Sequence, residues 1–75
     1  MSDFSERLRR LRESMRPVRS VVITSQLIGL SPSALGKYER GESEPGLAAL
    51  ALIADYYEVT VDYLVTGKRE PFIVP

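Results

Sequence analysis

The sequence predicts an all-α domain built from five short helices. Apolar residues recur at steps of three and four in several segments, which is the spacing of a single helix face. Residues that favour helix caps stand at the ends of these segments, and strand patterns are weak. A chain of 75 residues with 44% hydrophobic and 27% charged residues has room for one small globular domain. We expect that domain to span residues 1–67 and residues 68–75 to form a short extended tail.

The first helix is predicted from its cap and its apolar stripe. Asp3 and Glu6 have the three-residue spacing with which two side chains bond to the free N–H groups of a first turn. Four apolar residues then follow on one face, namely Phe4, Leu8, Leu11 and Met15. Pro17 lacks an N–H and disfavours helix at the residue before it, so the helix should end near Met15.

The segment after Pro17 admits two interpretations. Its run of β-branched residues, 21–23, fits a short strand. Ser20 as an N-cap, with Ile23 and Leu27 one turn apart, instead fits a short helix that ends at Gly29.

The third helix is predicted over residues 31–40. Ser31 would be its N-cap and Pro32 its first helical residue, where a missing N–H has no cost. Gly41 suits the turn that ends it. Leu35 would then lie on the apolar side of the helix and Lys37 on the polar side.

Two further helices are predicted in the second half of the chain. Helical spacing of apolar residues over about 46–57 suggests the most buried helix of the domain, with Leu47, Leu50, Ala51, Ala54 and Tyr57 on its apolar face. A fifth helix starts after Thr60, an N-cap residue, contains Val61, Leu64 and Val65, and ends at Gly67.

Composition excludes several functions. The chain has no cysteine and no histidine, so it lacks disulfides, thiol nucleophiles and the commonest general base and metal ligand. We therefore expect no enzyme, no metal and no cofactor. The absence of a long apolar run predicts no membrane span and a cytoplasmic protein.

Charge is distributed unevenly, although the net charge is zero. Residues 1–41 carry eight Lys and Arg against four acids, whereas residues 42–75 carry two against six. A basic patch in the first half would suit nucleic acid, and a mixed surface with an accidental gradient is the alternative.

Residues 29–41, whose sequence is GLSPSALGKYERG, resemble the recognition-helix region of the Cro/phage-repressor-type (XRE) family of helix-turn-helix proteins. Residues 44–54 and 59–64 resemble the downstream helices of that family, and residues 4–13 resemble its first helix. The resemblance covers about residues 4–67. It implies a lambda-repressor-like fold with the helix-turn-helix unit at about 20–40, and it favours helix over strand for 20–28.

The resemblance also implies a function. The protein would be a bacterial or prophage transcriptional regulator, most readily a repressor, that inserts the helix at 31–40 into the major groove of double-stranded DNA. A homodimer is expected, with its contacts through helix 61–66 and the tail at 70–75. The alternative is a protein-interaction module, antitoxin-like or adaptor, with weak or lost DNA binding.

Individual residues receive roles by the same resemblance. Base contacts fall on Pro32, Ser33, Ala34 and Lys37. Contacts to the DNA backbone fall on Arg16, Arg19, Ser20, Ser31 and Tyr38. Arg12 and Glu39 match positions that form an ion pair in the family, and Leu8, Leu27, Leu35 and Tyr38 are interpreted as core. Val21 stands where the family often has a phosphate-binding glutamine, and the recognition helix carries a single charge before its last turn, so specific binding could be weak.

Overall fold

Five α-helices form the regular structure of residues 3–68, the part of the chain that the computed structural model describes. Their bounds are Asp3–Ser14 (α1), Val21–Ile28 (α2), Ala34–Glu39 (α3), Leu47–Tyr57 (α4) and Val61–Thr66 (α5). No strand occurs within this range, so the predicted all-α class is confirmed. None of these helices is long and apolar enough to cross a membrane. The predicted tail beyond Lys68 lies outside the described residues.

The core is one cluster to which every helix contributes. Leu8, Leu35, Ile53 and Leu64 are completely buried, and Ile28 is nearly so. α1 packs on α3 and α5, α2 packs on α3 and α4, and α4 packs on α5. Because α3 is held from two sides by α1 and α2, its remaining surface is available to face outward.

α2 forms as a helix, which decides between the two interpretations of this segment. The Ser20 hydroxyl accepts a hydrogen bond from the Ile23 N–H at 3.2 Å and caps the helix. Gly29 ends it with φ of 102°, a conformation that favours glycine. The residues just before Ser20 lie in a loop.

The first helical residue of α3 is Ala34, two residues after the predicted Pro32, so the assignment of Ser31 as its N-cap is wrong. The Ser31 carbonyl accepts the Ala34 N–H at 3.1 Å and thereby closes a separate turn over 31–34. Ser33 is the N-cap residue, although its side chain forms no capping hydrogen bond. Gly41 follows the helix with φ of 74°, in agreement with the predicted ending.

Three positions predicted on buried faces are exposed, namely Leu27, Leu47 and Ala51. Leu27 is 52% exposed, because Thr24, Ser25 and Ile28 form the inner face of α2 and Leu27 lies on the outer face. Leu47, at the first position of α4, is 85% exposed. The buried residues of α4 are Ile53, Ala54 and Tyr57, all in its second half. α4 is therefore less buried than its composition indicates.

α5 agrees with the prediction at both ends. The Thr60 hydroxyl accepts the Tyr63 N–H at 2.9 Å, and Gly67 closes the helix with φ of 75°. The Arg7 guanidinium of α1 donates to the Leu64 carbonyl at 2.6 Å and lies over the Tyr63 ring. This contact ties the end of α5 to α1.

Candidate nucleic-acid interface

The turn between α2 and α3 is fixed by the buried hydroxyl of Ser25. This side chain is completely buried, donates to the Ser31 carbonyl at 2.5 Å and accepts the Leu35 N–H at 3.1 Å. One hydroxyl therefore satisfies a carbonyl of the turn and a free N–H in the first turn of α3. Sequence reasoning missed Ser25, because only the packing of α2 on α3 and α4 shows which face of this helix is buried.

Thr24 is also buried on the inner face of α2, with 1% of its surface exposed. Its hydroxyl donates to the Ser20 carbonyl at 2.8 Å, so the polar atom has a partner inside the helix. A polar residue can therefore be accommodated on the buried face of α2.

Arg12 joins three elements of the domain. Its Nε and Nη2 donate to the two carboxylate oxygens of Glu39 at 2.9 and 3.0 Å, and its Nη1 donates to the Arg19 carbonyl at 3.1 Å. The side chains of the pair are only 16% and 7% exposed. Hydrogen bonding to Glu39 raises the pKa of Arg12 above its usual value, so the guanidinium remains charged. The structure thus brings α1, the last residue of α3 and the loop before α2 together at one point.

The residues assigned to base contacts lie in the turn before α3 and in the first four residues of that helix. Pro32, Ser33 and Lys37 are exposed, and Ala34 is half-buried. Ser33 and Lys37 are four residues apart and Ala34 and Lys37 three apart, so these side chains share one side of the helix. The opposite side is anchored by Leu35, which is completely buried. α3 therefore presents a narrow outward edge with one cation.

The residues assigned to backbone contacts differ in their exposure and in their hydrogen bonds. Arg16, Arg19, Ser20 and Ser31 are exposed, whereas Tyr38 is half-buried against the core. The Ser20 hydroxyl is engaged in capping α2, and Arg16 donates to the carbonyls of Glu13 and Met15 at the end of α1. Arg19 is held beside the Arg12–Glu39 pair through its carbonyl. Of this group, Tyr38 belongs to α3, Ser31 lies in the turn before α3, and Arg19 is joined to the last residue of α3 through Arg12. Arg16 stays just beyond the end of α1.

A cleft between α1, α2 and α3 adds two cations that sequence reasoning did not assign. It has a volume of about 340 Å³ and is lined by Arg9, Arg12, Val21, Gly36, Glu39 and Arg40. Arg40 lies across Gly36, where a Cβ would come within 3.1 Å of its guanidinium. It also pairs with Glu42 at 2.6 Å, and that hydrogen bond raises the pKa of Arg40 and lowers that of Glu42. The positive character of this surface therefore extends beyond α3.

Residues 3–68 contain no group of three acidic, histidine or cysteine side chains that could hold a metal ion.

Known proteins match most of this chain. A family model described as "Helix-turn-helix" matches residues 24–64. The chain is 34% identical to the HTH-type transcriptional regulator AnsR of Bacillus subtilis over 56 residues, which is 75% of this chain and 48% of that protein. It is 32% identical to the uncharacterized HTH-type transcriptional regulator YobD of the same species over 68 residues, which is 91% of this chain and 59% of that protein. The chain thus spans about half the length of these relatives.

A solved structure has the same arrangement of helices. The P22 c2 repressor in complex with a synthetic operator aligns with a TM-score of 0.79 and 25% identity, over 91% of this chain and 100% of that one.

Proposed function

Because the chain belongs to the helix-turn-helix family, we propose that it is a DNA-binding transcriptional regulator that inserts the outward edge of α3 into the major groove. One observation carries the proposal: Ser33 and Lys37 are exposed while Leu35 and Glu39 of the same short helix are buried. An edge held in this way keeps a fixed orientation toward a DNA duplex. The regulator would act by binding and would perform no chemistry.

Base contacts are proposed for Pro32, Ser33, Ala34 and Lys37. The Lys37 ammonium can donate to the O6 and N7 acceptors of guanine. The Ser33 hydroxyl can donate or accept and discriminates poorly, whereas Ala34 and Pro32 offer apolar contact to a thymine methyl group. With a single cation at this edge, specificity would depend partly on DNA shape.

Backbone contacts are proposed for Arg16, Arg19, Ser20, Ser31 and Tyr38. The two arginines supply positive charge, and the first turn of α2 after Ser20 supplies N–H groups. These contacts would set the position of the domain on the duplex.

A cytoplasmic homodimer on two half-sites is the proposed active form. A single domain offers few base contacts, and two copies one helical turn apart would double them. α5 carries two exposed valines, Val61 at 38% and Val65 at 53%, that a second copy could cover. The proposed interface is helix 61–66 together with the tail at 70–75.

Selection of bound sequences from a random pool of duplex DNA tests the function and the dimer together. An inverted repeat with half-sites about one turn apart is the expected result. Mobility-shift titrations of the selected duplex should then weaken steeply as salt increases, because phosphate contacts release counterions. Recovery of no sequence, with no duplex binding at low salt, would overturn the proposal.

A second function is favoured by the outer face of α2. Val22, Ile23 and Leu27 are each about half exposed there, and α2 contains no charged residue. Such a face suits a protein partner, as in an interaction module of the antitoxin or adaptor kind. Replacing Ile23 and Leu27 with serine should leave DNA binding intact if the first function is correct.

A further inference from the structure

A carboxylate lies among the cations next to α3. Glu42 accepts two hydrogen bonds from Arg40, one from Nε at 2.6 Å and one from Nη2 at 3.3 Å. The Glu42 N–H donates to the Lys37 carbonyl at 2.9 Å, which fixes the backbone of Glu42 against the last turn of α3. The hydrogen bond from Arg40 is the main cause that lowers the pKa of the Glu42 carboxyl, and the charge of Lys37 also lowers it. The negative charge of Glu42 therefore acts on both cations.

The Arg40–Glu42 pair contributes little to the fold. Its side chains are 58% and 53% exposed, and exposed ion pairs add little to stability. The nearby Arg12–Glu39 pair is different, because it is nearly buried and joins α1 to α3. The Arg40–Glu42 pair joins only two positions that are two residues apart in the chain. Its main effect is therefore on the charge of the surface.

The same surface contains two arginines that can reach one anion. Arg9 of α1 and Arg40 after α3 line one cleft. Arg9 is exposed and forms no ion pair within residues 3–68. A guanidinium binds a phosphate through pairs of N–H groups, and Arg40 directs one such pair, Nε and Nη2, to Glu42 instead. A phosphate that takes these donors must displace the carboxylate.

We propose that Glu42 competes with DNA phosphates for Arg40 and thereby lowers the affinity of the domain for duplex DNA of any sequence. This role rests on the proposed DNA binding, and it identifies a residue that opposes that binding. A carboxylate beside a phosphate is repelled, and the repulsion is strongest at low salt. Phosphate contacts carry no direct sequence information, so the affinity for a selected duplex and for an unrelated one falls by the same factor. The preference between duplexes then depends on the base contacts of α3.

Mobility-shift titrations of Glu42→Gln test this role. The variant should bind the selected duplex and an unrelated duplex about fivefold more tightly than the parent at low salt, which is the effect of one unit charge at contact distance in water. The slope of log affinity against log salt should become steeper by about one, because one more phosphate contact releases counterions.

Glu44→Gln is the matched control. It makes the same change of charge at an exposed residue that forms no ion pair among the described residues and lines a groove with side chains of α1, α4 and α5. The control should change affinity by less than about twofold, since screening weakens charges that lie away from the phosphates. An equal gain from both variants would assign the effect to net charge and would overturn the role of Glu42.

The Arg40→Ala background shows whether the gain depends on Arg40. There, Glu42→Gln should raise affinity by less than about twofold, because no guanidinium is released. An equal gain with and without Arg40 would mean that Glu42 acts by repulsion alone, and this result would overturn the competition.

Failure of this role and failure of the proposed function give different results. If the parent binds duplex DNA and Glu42→Gln binds no more tightly, the role of Glu42 is wrong and the proposed function stands. If neither protein binds any duplex at low salt, the proposed function is wrong and the role of Glu42 is wrong with it.

Discussion

Arg12 and Glu39 form a two-point ion pair that joins the last turn of α1 to the last residue of α3. The Glu39 side chain is 7% exposed, so the carboxylate depends on Arg12 for its charge balance. Because Arg12 also holds the Arg19 carbonyl, the pair determines how α3 and the start of α2 are placed relative to α1.

Replacing Arg12 with methionine should therefore destabilise the domain. The change leaves a nearly buried carboxylate without its partner, and the free energy of unfolding should fall by about 3 kcal/mol in chemical denaturation. DNA affinity should fall as well, since α3 loses a constraint on its orientation. Glu42→Gln is the control: it breaks the Arg40–Glu42 pair, which is solvent-exposed, and it should leave stability nearly unchanged. Equal stability of Arg12→Met and the parent would contradict the role of the pair.

Local chemistry made much of the fold predictable. The caps of α2 and α5 depend only on neighbouring residues. The hydroxyls of Ser20 and Thr60 accept N–H groups from the first turn of these helices, and Gly29 and Gly67 end them with a positive φ. Their roles follow from the sequence because no distant residue is needed to produce them.

Positions that depend on packing were not predictable in the same way. Ser31 has the residue type of an N-cap, yet its carbonyl is used by Ser25 and by a turn, so α3 starts at Ala34. Leu27 and Ile28 are adjacent aliphatic residues, and only the contact of α2 with α3 and α4 decides that Ile28 is the buried one. Arg9 and Arg40 come to line one cleft only after α1 and α3 have packed.

Lys37 is the most informative position for the DNA contact. Replacing it with alanine should weaken binding to the selected duplex by about 1–3 kcal/mol and relax the preference at one base pair. Stability should remain unchanged, since the side chain is exposed. Lys68→Ala removes another exposed lysine, after α5, and is the control. If both variants bind like the parent in titrations at one salt concentration, the assignment of Lys37 is wrong.

Ser25→Ala tests the buried hydroxyl at the turn. The change leaves the Ser31 carbonyl without that donor and the Leu35 N–H without its acceptor, so the free energy of unfolding should fall by about 1–3 kcal/mol. Ser14→Ala removes a hydroxyl that bonds only within α1, at an exposed position, and should cost much less. Thermal denaturation of both variants provides the comparison, and similar losses would show that the turn does not depend on Ser25.

Gly67→Ala tests the junction of α5 and α1. Gly67 has φ of 75°, and a Cβ at this position would overlap the Arg7 guanidinium. We expect a loss of at least about 1 kcal/mol, since alanine is strained at positive φ and Arg7 must leave the Leu64 carbonyl. Gly46 has φ of −76° and open space around its Cβ position, so Gly46→Ala should change stability only slightly. A denaturation experiment in which both variants lose the same stability would contradict this explanation.

Tyr57→Phe should stabilise the domain at alkaline pH. Tyr57 is 8% exposed, its hydroxyl has no hydrogen-bond partner among the described residues, and burial is the main cause that raises its pKa. The pKa of Tyr57 is therefore higher in the folded state than in the unfolded state, where it is about 10. The stability that the neutral, buried Tyr57 contributes is fully present below the unfolded pKa and is lost as pH rises through the folded pKa. Phenylalanine cannot ionise, so the variant should gain stability over the parent between about pH 9 and pH 11, while at neutral pH it should match or slightly exceed the parent.

Urea denaturation of both proteins across this range measures the difference, because all other groups titrate in both. Tyr56→Phe, at a half-buried ring in contact with Tyr57, is the control, and a difference that stays constant with pH would rule out Tyr57 as the titrating group.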